Sequence, residues 1–167
     1  LQDTGSSQSA ERLEEIAGET LSFPDESSVK IAHIDIDNAT EMTDNMPIYD
    51  THNLIQKVYL SLHTEFSKKG ALVFYTGGDN FMAPCNCVDE NEVLDAILEV
   101  EDGNGIDLKA GIGEAPKAEA AAFLASEGLH DIRDGKTDDK VVYKSIEDIS
   151  EDLIESISSL ERQKSIN

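Results

Sequence analysis

The segment Val29–Ile36 constrains the fold of this chain more than any other stretch. Its apolar residues fall on both odd and even positions, so a strand built from it must be buried on both faces. Such a strand lies inside a sheet rather than at its edge. We therefore predict that Val29–Ile36 is a central strand.

The segments that follow predict the other elements of that sheet. Residues 37–50 are polar and predict a loop, and Leu54 to Phe66 carry apolar residues at helical spacing up to Gly70. Two β-rich runs flank Thr76-Gly77-Gly78-Asp79-Asn80, which is typical of a hairpin. The remaining predictions are the first strand of this pair at 71–75, the second at 81–83, a helix around 93–98, a strand at 106–112, an alanine-rich helix at 115–132, a strand at 141–143 and an amphipathic helix from Ile149.

The order of these elements is β-α-β-β-α-β-α-β-α, and the first six match the ferredoxin-like βαββαβ unit. We predict an α+β domain over residues 29–167, with an extra C-terminal strand and helix. Residues 1–28 are Ser/Glu-rich and contain Pro24, which is typical of a linker. Because residue 1 is Leu rather than Met, we expect a processed chain or a piece of a longer one, with 1–28 as a linker or the end of a preceding domain.

The charge of the chain limits its partners. The sequence has 35 acidic and 13 basic residues, a net charge of −22, spread along the whole chain. Such a field repels nucleic acid and anionic membranes, so we expect neither as a partner. No apolar run reaches the roughly 20 residues of a membrane helix. Uniform acidity is typical of salt-loving microbes, where the Debye length falls to about 3 Å at 1 M salt.

The two cysteines, Cys85 and Cys87, are separated by one residue. That spacing rarely suits a disulfide, and no second Cys/His pair completes a zinc site. We interpret them as reduced thiols, which favours the cytoplasm.

Two acidic residues lie at positions that the predicted sheet brings close together, one at a strand end and one at a hairpin tip. Asp35 lies near the exit of the first strand and Asp79 at the hairpin tip. We expect the first strand to lie beside the strand that leads into the hairpin, so both carboxylates reach one sheet edge and can share Mg²⁺. Gly77 and Gly78 leave room for a substrate near the backbone. The alternative is an ordinary turn and an ordinary strand end.

Several motifs in order resemble a known family. Ile34-Asp35-Ile36-Asp37 and Phe74 to Phe81 resemble the metal-binding strand and hairpin of GGDEF-type diguanylate cyclases. A closer resemblance is to archaeal GTP cyclohydrolase III, over about residues 29–145. It is carried by Ile31-Ala32-His33-Ile34-Asp35-Ile36, Tyr49-Asp50-Thr51, Gly77-Gly78-Asp79-Asn80-Phe81-Met82-Ala83-Pro84 and Leu108-Lys109-Ala110-Gly111-Ile112-Gly113.

This resemblance implies a palm-like domain that opens the imidazole ring of GTP and releases two phosphates, giving a formylamino-pyrimidine ribosyl phosphate for riboflavin or deazaflavin synthesis. It implies Mg²⁺ held by Asp35, the Ile36 carbonyl and Asp79, with the two aspartates catalytic and with K⁺ or another monovalent cation as activator. Nucleotide-binding residues implied are Asn38 and Asp44 at the ends of a phosphate loop, Gly77, Gly78 and Asn80 of the hairpin, and the cations Arg133, Lys136 and Lys140.

Other readings stay open. Family members have two related domains, and this chain resembles the C-terminal one. A nucleotide cyclase would use the same metal site, although such cyclases carry an acidic residue where this chain has Asn80. A non-catalytic nucleotide-binding or dimerisation domain is the other alternative. We interpret His33 either as a core histidine or as a catalytic base. The last helix could cover the sheet or pair with a second copy, and we expect a homo-oligomer.

Overall fold

The computed structural model describes residues 28–146 of the chain. Residues 1–27 and the helix predicted from Ile149 lie outside this range. The elements are β1 Val29–Ile36, α1 Ala39–Asp44, α2 Ile48–Ser67, β2 Phe74–Gly77, β3 Asn80–Pro84, α3 Glu90–Asn104, β4 Leu108–Ala115, α4 Ala118–Arg133 and β5 Val141–Ser145.

The strands form one sheet in the order β2-β3-β1-β4-β5. Strand β1 is antiparallel to both β3 and β4, and β5 is added parallel to β4. The βαββαβ prediction with an extra strand is therefore confirmed, as is the central position of β1. Among residues 28–146, no helix combines the length and the apolar character that crossing a bilayer requires.

The expected neighbour of β1 was wrong. Strand β1 pairs with β3, which leaves the hairpin, and not with β2, which leads into it. The crossover through α2 makes β2 parallel to β1, and the antiparallel partner from the hairpin then fills the gap between them. The correction brings Asp79 closer to Asp35, because Asn80 is the register partner of Asp35.

Strand β1 is buried on both faces, as its sequence indicates. Ala32, Ile34 and Ile36 belong to the core that α2 and α3 complete, with residues such as Leu62 and Ile97. On the opposite face, residues at odd positions lie under α4. There Ile31 packs with side chains of α4 in a second cluster, whose other buried members are Ala115, Ala120, Ala121 and Leu124.

Several element boundaries differ from the prediction. The predicted loop at 37–50 contains α1 and the first turn of α2, which begins after Pro47. Ile48 and Tyr49 in that turn are about four-fifths exposed (79% and 81%). The turn therefore has no buried apolar face, and its sequence shows no helical spacing of apolar residues. Strand β2 starts at Phe74 rather than at 71, and β3 runs from 80 to 84 rather than from 81 to 83.

The other boundaries also shift by a few residues. Helix α3 is longer than predicted, running from Glu90 to Asn104, and α4 begins at Ala118 rather than at 115. The fourth predicted strand, 106–112, is β4 at Leu108–Ala115, and β5 continues to Ser145. Residues 113–115, which the prediction left out of the strand, are small or polar and pair with the start of β1.

Helix α4 lies unusually close to β4. A Cβ at Gly111 would lie 1.8 Å from the Ala125 carbonyl oxygen, and one at Gly113 would lie 1.9 Å from that of Ala121. Neither distance is possible for real atoms, so only glycine fits at these positions while the alanine-rich helix keeps its place. We call these four residues the glycine–alanine seam.

We predict that Gly111→Ala destabilises the protein by roughly 3 kcal/mol, because the added methyl group must push α4 away from the sheet. The matched control is Gly103→Ala in α3, where a Cβ meets nothing within 4 Å. That change should stabilise the protein by roughly 0.5–1 kcal/mol, since alanine favours a helix interior. Urea denaturation at fixed salt measures both; equal stabilities of the two variants would contradict the seam.

Candidate functional site

The carboxylate of Asp35 lies at the C-terminal end of β1 and is 4% exposed. Its Oδ2 accepts a hydrogen bond from Arg133 Nε at 3.1 Å and forms an ion pair with Arg133 Nη2 at 2.6 Å. Its Oδ1 is buried and has no hydrogen-bond donor among residues 28–146. An anionic oxygen kept from water without a partner is costly, so Oδ1 is a candidate ligand position.

Asp79 adjoins Asp35 at the hairpin. Its backbone carbonyl accepts a hydrogen bond from the Ile36 N–H at 3.3 Å. Burial raises the pKa of Asp35 to about 6; Arg133 opposes this rise, whereas the Asp79 carboxylate adds to it through its charge and through a hydrogen bond that needs a protonated carboxyl. The structure thus brings the two aspartates together at one edge of the sheet.

The Ile36 carbonyl lies on the same side of β1. The N–H and C=O of a strand residue point in the same direction, and the Ile36 N–H points to Asp79. Two carboxylates and one carbonyl are hard oxygen donors, and Mg²⁺ takes one or two carboxylates while keeping waters for a substrate's phosphates. Within residues 28–146 no cluster of three His, Cys, Asp or Glu side chains could hold a metal by itself. The residues present fit Mg²⁺ that is bound together with a nucleotide.

The hairpin tip is shaped by its glycines. Gly77 and Gly78 have φ of 116° and 62°, which an L side chain rarely adopts. The turn is fastened by the Tyr75 hydroxyl, which donates to the Gly78 carbonyl at 3.1 Å, and by the Thr76 hydroxyl, which donates to the Asn80 carbonyl at 3.0 Å. Asp79 therefore extends from a defined turn, directly after two residues that have no side chain.

His33 lies on β1 two residues before Asp35, on the same face. Its ring contacts Asn80 Oδ1 at 2.9 Å through Nε2 and Ser126 Oγ at 3.0 Å through Nδ1. Burial lowers the pKa of His33. Both ring nitrogens are thus engaged, which agrees with the interpretation as a core histidine and places His33 one contact away from Asp79.

A cleft of about 390 Å³ opens beside the end of β1. Asn38, at its edge, has a φ of 55°, and its N–H donates to Asp37 Oδ1 at 3.0 Å. Asp37 also pairs with the Lys109 ammonium at 2.9 Å. The cleft is lined by Ile36, Asp37, Asn38, Asn45, Met46, Gly105, Ile106 and Asp107.

The predicted basic residues Lys136 and Lys140 form ion pairs with acidic residues other than Asp35 and Asp79. Lys140 pairs with Glu101 at 2.5 Å and with Asp107, at the cleft, at 3.4 Å. Lys136 pairs with Asp131 at 2.6 Å and with Asp134 at 3.6 Å, beyond the end of α4. Asp44, the last residue of α1, is exposed.

The sequence reasoning missed Lys109 and the residues that 105–107 and 45–46 contribute to the cleft. Lys109 had a signal in the sequence, since it is the one basic residue of strand β4. In the structure its register partner is Asp35. The loops had none, because their meeting depends on how α3 returns to the sheet. Gly105, in the left-handed conformation at φ 65°, ends α3 there.

The sequence model of one protein family, GTP cyclohydrolase III, matches residues 1–145. The chain belongs to the GTP cyclohydrolase III family. A family member from Methanobrevibacter smithii is 47% identical over 136 residues, covering 80% of this chain and 54% of the relative. One from Methanothermobacter thermautotrophicus is 49% identical over 142 residues, covering 84% and 56%. The chain therefore spans about half the length of these GTP cyclohydrolase III relatives.

Solved structures with the same fold are diguanylate cyclases and related proteins. The diguanylate cyclase SiaD from Pseudomonas aeruginosa, in complex with its activator SiaC, superposes with a TM-score of 0.61 at 16% identity, covering 81% of this chain and 57% of that one. The GGDEF domain of DgcB from Caulobacter crescentus, in complex with c-di-GMP, gives 0.58 at 15% identity, covering 82% and 88%. At such identity the likeness shows the fold alone, and it confirms the predicted palm-like domain.

We predict that Arg133→Met raises the pKa of Asp35 from about 6 by roughly one pH unit or more, because the guanidinium stabilises the ionised carboxylate. Carboxyl-detected NMR titration in metal-free buffer measures this. The control is Lys136→Met, which removes a cation that pairs with Asp131 and Asp134 instead. An unchanged midpoint in the Arg133 variant, or an equal rise in the Lys136 variant, would contradict the assignment.

Proposed function

We propose that this chain contributes to the Mg²⁺-dependent hydrolysis of GTP, opening the imidazole ring to a formylamino-pyrimidine ribosyl phosphate and releasing phosphate. This is an early step of riboflavin or deazaflavin synthesis. The observation that carries the proposal is the buried, unpartnered Asp35 Oδ1 beside Asp79, in a chain that belongs to the GTP cyclohydrolase III family. A buried anionic oxygen facing a second carboxylate suits a cation that arrives with its substrate.

Asp35, Asp79 and the Ile36 carbonyl would hold the Mg²⁺, with K⁺ as an activator of the same reaction. When bound, Mg²⁺ supplies Lewis-acid stabilisation of phosphate charge. The two aspartates are therefore the catalytic residues of the proposal. Asp35 is buried and is held on its other oxygen by Arg133, so it cannot turn away from this position.

The surrounding residues would bind the nucleotide. Arg133 is 45% exposed, so its guanidinium can contact both Asp35 and a phosphate. Gly77 and Gly78 leave the hairpin open to the substrate, and a left-handed residue such as Asn38 helps to turn backbone N–H groups towards an anion. The remaining phosphate-loop and basic positions of the proposal are Asp44, Asn80, Lys136 and Lys140.

The cleft beside β1 would accept the base and sugar. Its volume of about 390 Å³ is within the range of small-molecule sites, and Asp37, Asn38, Asn45 and Asp107 give it polar groups. It is continuous along the chain with the metal ligands, since Ile36 and Asp37 line it directly after Asp35. One GTP molecule would thus place its triphosphate at the carboxylates and its base in the cleft.

We also propose the setting of this activity. The chain would be the C-terminal palm-like domain of a two-domain protein, with residues 1–28 as a linker or the end of the first domain. The half-length match to the relatives supports this. The net charge of −22 supports a salt-loving archaeal source, and Cys85 and Cys87, both thiols, support the cytoplasm. We expect a homo-oligomer.

We predict that the chain binds Mg²⁺·GTP and that Asp35→Asn and Asp79→Asn each weaken this binding at least about tenfold, because each removes a charged metal ligand. Isothermal titration calorimetry in KCl buffer measures the affinities. Asp95→Asn, an exposed aspartate of α3, is the control for lost charge and should bind like the unsubstituted chain. Equal affinities of all four proteins would contradict the metal site.

Turnover separates the proposed reaction from its rivals. With the gene product that contains this chain, GTP and Mg²⁺ should give phosphate and a shifted ultraviolet spectrum, and the isolated chain should show little of either. A cyclic dinucleotide product would replace the proposal with nucleotidyl cyclisation, which the palm-like fold also supports. Binding without turnover by the whole gene product would make this a nucleotide-binding domain.

A further inference from the structure

The side chain of Asn80 connects His33 to Asp79. Its Nδ2 donates to Asp79 Oδ1 at 2.8 Å, and its Oδ1 lies 2.9 Å from His33 Nε2. A carboxylate only accepts hydrogen bonds when ionised, so the amide nitrogen must face Asp79 and the amide oxygen must face His33. His33 Nε2 therefore carries the ring proton and donates a hydrogen bond to Asn80 Oδ1. Both hydrogen bonds are thus donated in the same direction, from His33 to Asn80 and from Asn80 to Asp79.

The other nitrogen of His33 contacts helix α4. Nδ1 lies 3.0 Å from Ser126 Oγ. Because Nε2 carries the ring proton, Nδ1 accepts the single hydroxyl hydrogen of Ser126, and the Ala122 carbonyl, also 3.0 Å from that oxygen, receives none. The ring thus contacts helix α4 through one nitrogen and the hairpin through the other. Rotation of the Asn80 amide would set its oxygen against the Asp79 carboxylate and its nitrogen against the His33 N–H, which loses both hydrogen bonds.

We propose that His33 is a positioning residue for the metal site: through Asn80 it occupies Asp79 Oδ1 and leaves the other oxygen of Asp79 to share a divalent cation with Asp35. This inference rests on the proposed function. Hydrogen bonds to a metal-binding carboxylate orient it, and loss of such a partner typically costs 10–100-fold in metal affinity. A histidine that only fills the core needs an acceptor of any kind, whereas this one contacts the residue that directs Asp79.

The inference also explains why residue 80 is an amide. An acidic residue at position 80 could accept from His33 but, when ionised, could not donate to Asp79. Only an amide does both at this distance. The chain thus carries a matched pair, a histidine on β1 and an amide on β3, where a second carboxylate would break the connection.

Binding of Mn²⁺ in the presence of GTP to the 167-residue chain, followed by electron paramagnetic resonance of the Mn²⁺, tests the inference without requiring turnover. His33→Phe keeps the ring volume and removes the donor, and we expect it to weaken Mn²⁺ binding about tenfold. His33→Gln can still donate to Asn80 and should restore most of the affinity. Ser126→Ala is the matched control: it removes the other hydrogen bond of the same ring and should leave Mn²⁺ affinity within about twofold.

A double-substitution cycle with Asn80→Ala locates the path of the effect. If His33 acts through Asn80, His33→Phe should lower Mn²⁺ affinity in the unsubstituted chain and have no further effect in the Asn80→Ala background. Asn80→Ala and Asn80→Asp alone should each match the loss in His33→Phe. These variants keep the test decisive even if His33→Phe fails to fold, which urea denaturation would reveal.

The outcomes separate the inference from the function on which it rests. Full Mn²⁺ affinity in His33→Phe and in Asn80→Ala, with Asp79→Asn impaired, would overturn the positioning role and leave the metal site intact. A loss in Ser126→Ala equal to that in His33→Phe would also overturn it, since the effect would then come from packing. Mn²⁺ binding that is absent from the unsubstituted chain, or indifferent to Asp79→Asn, would overturn the metal site and this inference together.

Discussion

The ion pair between Asp35 and Arg133 joins the central strand to the helix that covers it. Burying a carboxylate costs several kcal/mol unless a partner compensates, and here the guanidinium reaches only one of the two oxygens. This energetic cost falls at the end of the central strand of the sheet. Functional sites are where such costs are found, because a group held ready for a ligand cannot also be satisfied by the protein.

Much of the architecture could be predicted from the sequence. The double-sided apolar pattern of Val29–Ile36 indicates a central strand, and the glycine turn at 77–78 indicates a hairpin; both are confirmed. The errors have physical causes. Which hairpin strand meets β1 depends on the crossover, and the first turn of α2 projects from the surface with Ile48 and Tyr49 exposed, so it shows no burial pattern.

Less of the candidate site could be predicted. Asp35 and Asp79 can be identified from the sequence as an acidic strand end and an acidic turn, and the structure places them together. The cleft cannot be identified from the sequence, because Met46 and Ile106 belong to loops that meet only in the tertiary structure. The partner of His33 was equally hidden, since the spacing of residues 33 and 80 says nothing about a contact across two strands. The chemical roles of all these residues stay predictions.

The glycine–alanine seam has a consequence beyond packing. Ala125, whose carbonyl touches the position of Gly111, stands eight residues before Arg133, which is about 12 Å along a helix at 1.5 Å per residue. Helix α4 behaves as a stiff rod over that length, so any widening at the seam would displace the guanidinium as well as Ser126. A side chain at Gly111 or Gly113 would therefore shift the ion pair between Asp35 and Arg133 at the far end of the helix, in addition to disturbing the packing.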